Sequence, residues 1–232
     1  MSGGDLLPDV DDPDRVARAR VHAALGDPVR LAIVEALVDS DLAPDEVAAA
    51  LGVGTNALAH HLNVLERAGV VDRTRSHGDG RRRYLILRGD RLAHLVDARR
   101  WRAGSVLFVC TANAARSQMA AALWALRSTV PASSAGRDPA TAVADLAVAT
   151  AARHGLEIQP AAPRGYGAVD ESPGLVISVC DRAREADVPF DAPRLHWSVP
   201  DPVAAGDAEA FEAAFDVLDR RISQLAPRVV AP

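Results

Sequence analysis

The 232-residue chain is 49% hydrophobic and 25% charged, the balance of a folded globular protein rather than a disordered or fibrous one. No apolar run reaches the length of a membrane span, and two cysteines cannot build a disulfide framework. Membrane-spanning and disulfide-stapled secreted classes are therefore excluded, and a reducing, cytoplasmic setting is expected. The net charge of −5 is unevenly placed: residues 73–102 hold ten of the 26 basic residues, all arginine, against three aspartates, while residues 104–232 hold eleven against fifteen acidic residues. A basic patch in an acidic protein points to a polyanion partner for one part only.

Residues 1–13, with neither a basic n-region nor an apolar h-region, read as a loose acidic tail. Asp12-Pro13 then opens a helix through about Leu25, with the aspartate as cap and proline at the first helical position. Asp27-Pro28 opens a second, and Pro44 a short third, "DEVAAAL", closed by Gly52. A fourth, "TNALAHHLNVLERA", carries Leu58, Leu62 and Leu65 as its apolar stripe, which leaves Thr55, Asn56, Ala57, His60 and His61 mostly on other faces. "VVDRTRSHGDGRRRYLILR" reads as two strands around a Gly-rich turn, a basic β-hairpin. Helix–turn–helix followed by an arginine-rich hairpin is the winged-helix arrangement, in which a helix enters the major groove and the wing grips phosphates.

"LGDPVRLAIVEALV", "LAPDEVAAALGVGTNALAHHLNVLERAGVV" and "GRRRYLIL" resemble the ArsR/SmtB-type bacterial repressors over about residues 14–102. The resemblance implies a homodimer on a palindromic double-stranded DNA operator. Thr55, Asn56, Ala57 and His60 match its groove-facing positions, His61 a position often filled by histidine, and Arg73, Arg75, Arg81, Arg82 and Arg83 its wing. Many arsenic-sensing members carry a cysteine pair at the start of the third helix; "DSDLAPDEV" has none. Asp90, His94 and Asp97 on "DRLAHLVDARRW" have a spacing a zinc ion shared across a dimer would use, but a lone histidine on a terminal helix is more often a surface or interface residue. No metal site is expected.

In the second half, "SVLFVC" is a buried-strand pattern and "SQMAAALWAL" a helix. Between them "CTANAAR" sets Cys110 six residues before Arg116. A strand ending in a loop that feeds a helix N-terminus makes an anion cradle, since backbone N–H groups converge and the helix dipole adds positive potential. Cys110 at its base is expected to lose its proton easily and to attack a tetrahedral oxyanion, with Arg116 clamping two oxygens and Ser117 bonding the thiolate. Thr111, Ala112, Asn113, Ala114 and Ala115 complete the loop, and the small residues let backbone approach the ligand. "SSAGRDP" is expected to follow a short strand, "ATAVADLAVATAARHGLEI" to form a helix, and "GLVISVC" a second buried strand delivering Cys180. A further strand, a loop with Asp201-Pro202 and a last amphipathic helix end the pattern. Strands alternating with helices imply a parallel sheet with ligands at the strands' carboxyl ends.

Residues 105–225 resemble the low-molecular-weight phosphatase fold and, within it, the arsenate reductases. The expected fold class is thus two domains: a mainly-α winged helix-turn-helix (residues 14–102) followed by an α/β domain with a parallel sheet (residues 103–232). Cys110, Arg116 and Ser117 match the phosphate loop, and Asp201 the mobile general acid that protonates the departing oxygen. Tyrosine phosphatases of the fold usually place a proline after the arginine-serine and aromatics after the acid; here stand Gln118 and Val203-Ala204. "RSQMA" and "VCDRARE" look like the reductases. Cys180 matches the second cysteine of their thioredoxin-coupled branch, but the third, near Ala186–Val188, is absent. A potassium site known in some members is matched by Asn113 but not by Ala121.

The expected function is an arsenic-operon-type repressor fused to an arsenate reductase that takes arsenate, or phosphate, in its loop. No tightly bound cofactor is expected, only an external thiol, mycothiol or thioredoxin; the incomplete relay tilts towards the small thiol. Two alternatives stand beside it: an arsenate- or phosphate-sensing regulator without turnover, and a tyrosine-phosphatase-like phosphoester hydrolase.

Overall fold

The computed structural model describes residues 11–88, 100–158, 162–169 and 172–232. Among them the chain divides into two compact units: residues 11–38, 42–73 and 85–88 form one, and residues 39–41, 74–84 and the described residues from 100 onward form the other. Asp90, His94 and Asp97 lie outside the described residues.

The first unit is built on helices α1 (Pro13–Leu25), α2 (Pro28–Asp39), α3 (Pro44–Leu51) and α4 (Thr55–Arg67). Their starts follow from the sequence: Asp12 Oδ1 accepts from the Asp14 amide at 3.3 Å, Asp27 Oδ1 from the Arg30 amide at 3.0 Å, and each of the first three helices has proline at its entry. Gly52 closes α3 in the left-handed conformation (φ 65°), which glycine adopts without a Cβ penalty. Ile33, Val34, Leu37, Val47, Leu58, Leu62 and Leu65 supply the core. Strands β1 (Val71–Arg75) and β2 (Arg83–Leu87) pair as the arginine-rich hairpin, whose tip, residues 74–84, belongs to the second unit.

In the second unit a short strand β3 (Trp101–Arg102) precedes β4 (Val106–Cys110), α5 (Arg116–Arg127), β5 (Ala132–Gly136), α6 (Asp145–Arg153), β6 (Leu175–Ser178), α7 (Asp181–Glu185), β7 (Arg194–His196), α8 (Pro202–Ala205), α9 (Ala208–Leu225) and β8 (Val229–Val230). The sheet order is β5-β4-β6-β7 with every pairing parallel, and β3 pairs with β8 apart from it. All five residues of β4 are buried, as a central parallel strand covered on both faces requires. Phe108, Met119, Trp124, Trp197, Phe211 and Leu218 fill the larger core on one side; Leu107, Val109, Val176 and Val188 fill the other.

Two expectations shift by a few residues. "SSAG" lies inside β5 rather than after a strand, paired residue for residue with Leu107–Cys110. The alanine-rich helix is confined to Asp145–Arg153, because the residues before it are engaged elsewhere: the Ala140 and Ala144 amides donate to the Ala112 and Ala114 carbonyls at 2.9 and 2.8 Å.

Asp181 and His196 form a fully buried pair in this unit, Nε2 to Oδ1 at 3.2 Å. Burial pushes the Asp181 carboxyl up, but the His196 contact and the His77 amide at 2.7 Å outweigh it and hold it below the usual carboxylate range. A carboxyl depressed in the folded state stabilises above its unfolded pKa, about 3.9, and the contribution is lost as pH falls through the folded value. The thermal midpoint is therefore expected to fall as the pH drops below about 4, and Asp181→Asn to flatten that fall in scanning calorimetry.

Candidate active site

The loop between β4 and α5 is shaped by where its carbonyls go. Cys110, Thr111, Ala112 and Ala114 oxygens accept from the amides of Arg137, Asp138, Ala140 and Ala144, at 3.3, 2.9, 2.9 and 2.8 Å. Because a trans peptide sets N–H opposite C=O, the amides of Thr111, Ala112, Asn113 and Ala115 turn away from those residues. The Asn113 amide meets Cys110 Sγ at 3.1 Å. Gly136 lets the loop close down on β5: a Cβ there would stand 2.6 Å from the Thr111 oxygen and 2.7 Å from the Asn113 nitrogen.

Asn113 is the hub. Among the described residues it is the one non-glycine with positive φ, 51°, a conformation asparagine tolerates better than most. Its Oδ1 accepts from the Arg164 amide at 2.9 Å and from Gln118 Nε2 at 3.1 Å, which fixes the carboxamide's orientation. Its Nδ2 then donates to Ser117 Oγ and Ser134 Oγ, both at 2.9 Å. With its oxygen already accepting, the Ser117 hydroxyl has its own hydrogen free for Cys110 Sγ, 3.0 Å away. A thiolate formed there is met by one hydroxyl and one amide.

Arg116, at the start of α5, is 7% exposed along its side chain; it donates from Nη1 to the Val199 carbonyl at 2.9 Å and from Nη2 to Asp201 Oδ2 at 2.8 Å. Asp201 also caps α8, its Oδ1 accepting from the Val203 amide at 3.2 Å. Val203, where the sequence lacks an aromatic, is exposed. Cys180, the cap residue of α7, is buried with its Sγ 3.2 Å from Thr111 Oγ1.

The Cys110 thiol departs from its sequence expectation. Burial pushes its pKa up, and the Ser117 hydroxyl and Arg116 charge only partly oppose this. The physical reason is that the thiol is wholly desolvated while Arg116 faces a carboxylate of opposite charge. Replacing Asp201 by asparagine leaves that positive charge uncompensated and is expected to lower the pH midpoint of Cys110 alkylation by iodoacetamide by about half a unit or more. An unchanged midpoint would separate Arg116's charge from the thiol.

Of the other expected site residues, Thr55, Asn56, Ala57 and His60 lie exposed together at the start of α4. His61 turns away from them, its Nδ1 3.6 Å from Asp27 Oδ1. Arg73 pairs with Glu66, Arg75 donates to the Gly80 carbonyl, and Arg81 and Arg83 are exposed. Gln118, Ser134 and Arg164, which brace the loop through Asn113, were not among the expected site residues. The first two stand in stretches quoted for other reasons; for Arg164 the sequence carries no local signal.

Residues 105–231 match the family described as low molecular weight phosphotyrosine protein phosphatase. The chain belongs to that family. Residues 25–74 match a helix-turn-helix domain, so the phosphatase-family domain is joined to a helix-turn-helix domain in one chain. Similar solved structures include an arsenate reductase from Archaeoglobus fulgidus (28% identity over 53% of this chain and 98% of that one, TM-score 0.49). Others are the tyrosine phosphatase Wzb from Escherichia coli K30 (20% identity, 54% and 97%, TM-score 0.48) and an arginine phosphatase from Geobacillus stearothermophilus (25% identity, 53% and 90%, TM-score 0.43). Among the described residues, no helix is long and apolar enough to cross a membrane, and no group of three or more His, Cys, Asp or Glu is placed to hold a metal ion.

Proposed function

We propose that the phosphatase-family domain reduces arsenate by a thiol relay, and that the helix-turn-helix domain binds a palindromic operator as a homodimer. The reading rests chiefly on Cys180. Hydrolysis of a phosphoester needs one thiolate, an oxyanion cradle and an acid; its chemical steps do not use a second buried thiol beside the same loop. β4 and β6 are neighbouring parallel strands in which Val109 pairs with Ser178, and the Val179 amide continues the ladder to the Val109 carbonyl. Continuing that register sets Cys180 level with Thr111, whose Oγ1 lies 3.2 Å from its Sγ, so both thiols stand at the same end of the sheet beside the loop.

In this scheme the loop amides and Arg116 hold arsenate, and Cys110 thiolate attacks As(V). Hydroxide leaves, protonated from Asp201. A second thiolate then attacks Cys110 sulfur: an S–S bond forms, the S–As electron pair stays on arsenic, and arsenite departs as As(III). If the second thiolate is Cys180, the product is an internal disulfide that an external dithiol reopens. If it is a small thiol such as mycothiol, the product is a mixed disulfide on Cys110. The placement of Cys180 favours the internal route. Arsenate must displace Asp201 from Arg116, since both claim the same guanidinium.

Phosphoester hydrolysis is the second reading: Asp201 stands beside the loop and, once a bound phosphoryl group displaces it from Arg116, is placed to protonate a leaving oxygen. The test is arsenite production by the purified chain, supplied separately with the thioredoxin and the mycothiol systems, beside p-nitrophenyl phosphate hydrolysis. Turnover lost in Cys110→Ser and in Cys180→Ser with thioredoxin supports the internal relay; loss only in Cys110→Ser, with mycothiol, supports the small thiol. Hydrolysis without arsenite production sinks the reductase, and arsenate binding without either makes the loop a sensor.

A further inference from the structure

The tip of the arginine-rich hairpin is an anion-binding turn whose anion is already supplied. Within the second unit, three donors of the turn converge on carboxylates of α7. The His77 amide donates to Asp181 Oδ2 at 2.7 Å, the Asp79 amide to Glu185 Oε2 at 2.6 Å, and Ser76 Oγ to Glu185 Oε1 at 2.5 Å. Tyr84 Oη adds a fourth at 3.3 Å to Glu185 Oε1. Asp181 and Glu185 are four residues apart, so both project from one side of the short helix. Gly78 seats the turn directly on α7: a Cβ there would stand 2.9 Å from the Arg182 nitrogen and 2.4 Å from Glu185 Oε2.

Backbone N–H groups of one turn with a hydroxyl beside them are the kind of donor set that cradles a phosphate. On this turn they are flanked by Arg75, Arg81, Arg82 and Arg83, the side chains that a duplex backbone attracts. The Glu185 carboxylate takes three of these donors and stands where a phosphate oxygen would be received. We propose that α7 is an internal competitor for DNA phosphate, holding the hairpin tip in an autoinhibited state that must open before the tip can grip a duplex. This rests on the reading of the chain as a DNA-binding protein. It also gives the catalytic domain a direct hold on that function, because α7 starts at the residue after Cys180.

The experiment is an anisotropy titration of a fluorescein-labelled 30-base-pair mixed-sequence duplex with the full chain, from low to moderate salt. Glu185→Gln removes the competing charge, Gly78→Ala lifts the turn off α7 without changing charge, and Asp187→Asn, at an exposed position just past α7, controls for net charge alone. Glu185→Gln is expected to tighten binding about three- to tenfold and to steepen the slope of log K against log salt by about one, the mark of one more phosphate contact, with Gly78→Ala moving the same way. Asp187→Asn is expected to change affinity less than twofold. If wild type binds and Glu185→Gln gains no more than Asp187→Asn, the clamp is overturned while the DNA reading stands, whatever Gly78→Ala does. If no form binds the duplex even at low salt, the DNA-binding reading falls and takes the clamp with it.

Discussion

Arg116→Lys is expected to lower kcat/KM for oxyanion turnover by about 10²- to 10³-fold while the domain stays folded. The argument is geometric. Arg116 presents Nη1 to the Val199 carbonyl and Nη2 to Asp201, so the fork is held in one plane before substrate arrives. A lysine keeps the charge but offers a single ammonium that cannot bond a backbone carbonyl and two substrate oxygens in a fixed plane. The loss should appear in kcat as well as in KM, because a planar donor pair matters most as charge builds on the oxygens. Steady-state arsenite production, with inorganic phosphate as competitor, measures it; a loss under fivefold would mean that the loop amides alone bind the anion.

The second large effect is expected from the smallest change, Gly136→Ala. The added Cβ would meet two backbone atoms, the Thr111 oxygen and the Asn113 nitrogen, neither of which moves without moving the loop. Overpacking of this kind costs about 1–3 kcal/mol of stability, and a displacement of about 1 Å at the reacting group costs roughly 10²-fold in rate. Gly165 is the control, since the nearest atoms to a Cβ there are 3.7 Å or more away and Gly165→Ala should be near neutral. Thermal melts and turnover of the two variants, side by side, check the contrast. Equal behaviour would remove the close approach at Gly136 from the account of the loop.

How much of this was legible beforehand depended on how local each cause is. Helix entries at Pro13, Pro28 and Pro44 are written in adjacent residues, and so are the buried strands around Cys110 and Cys180. The pairing of Cys110 with Arg116 and Ser117 follows from one loop feeding one helix. Contacts that need the chain to return are not written that way. Nothing near Asn113 announces that its carboxamide is gripped by Arg164, fifty-one residues on, or that Asp181 meets the amide of His77, 104 residues earlier. The alanine-rich stretch misled for the same reason: propensity favours helix from Ala140, but bonds to the loop's carbonyls claim Ala140 and Ala144 first. His61 carries the same lesson, since its partner Asp27 sits on the entry to another helix.

The burial that pushes the Cys110 thiol up has a bearing on survival as well as on rate. Peroxide attacks the thiolate, so burial that disfavours the thiolate also disfavours oxidation to sulfenic and then irreversible sulfinic acid. Cys180 is equally buried at the neighbouring strand end, and on the internal relay proposed above it would condense with any sulfenic acid that does form, to a disulfide that thiols can reverse. On that relay, the pair is therefore expected to resist oxidative inactivation.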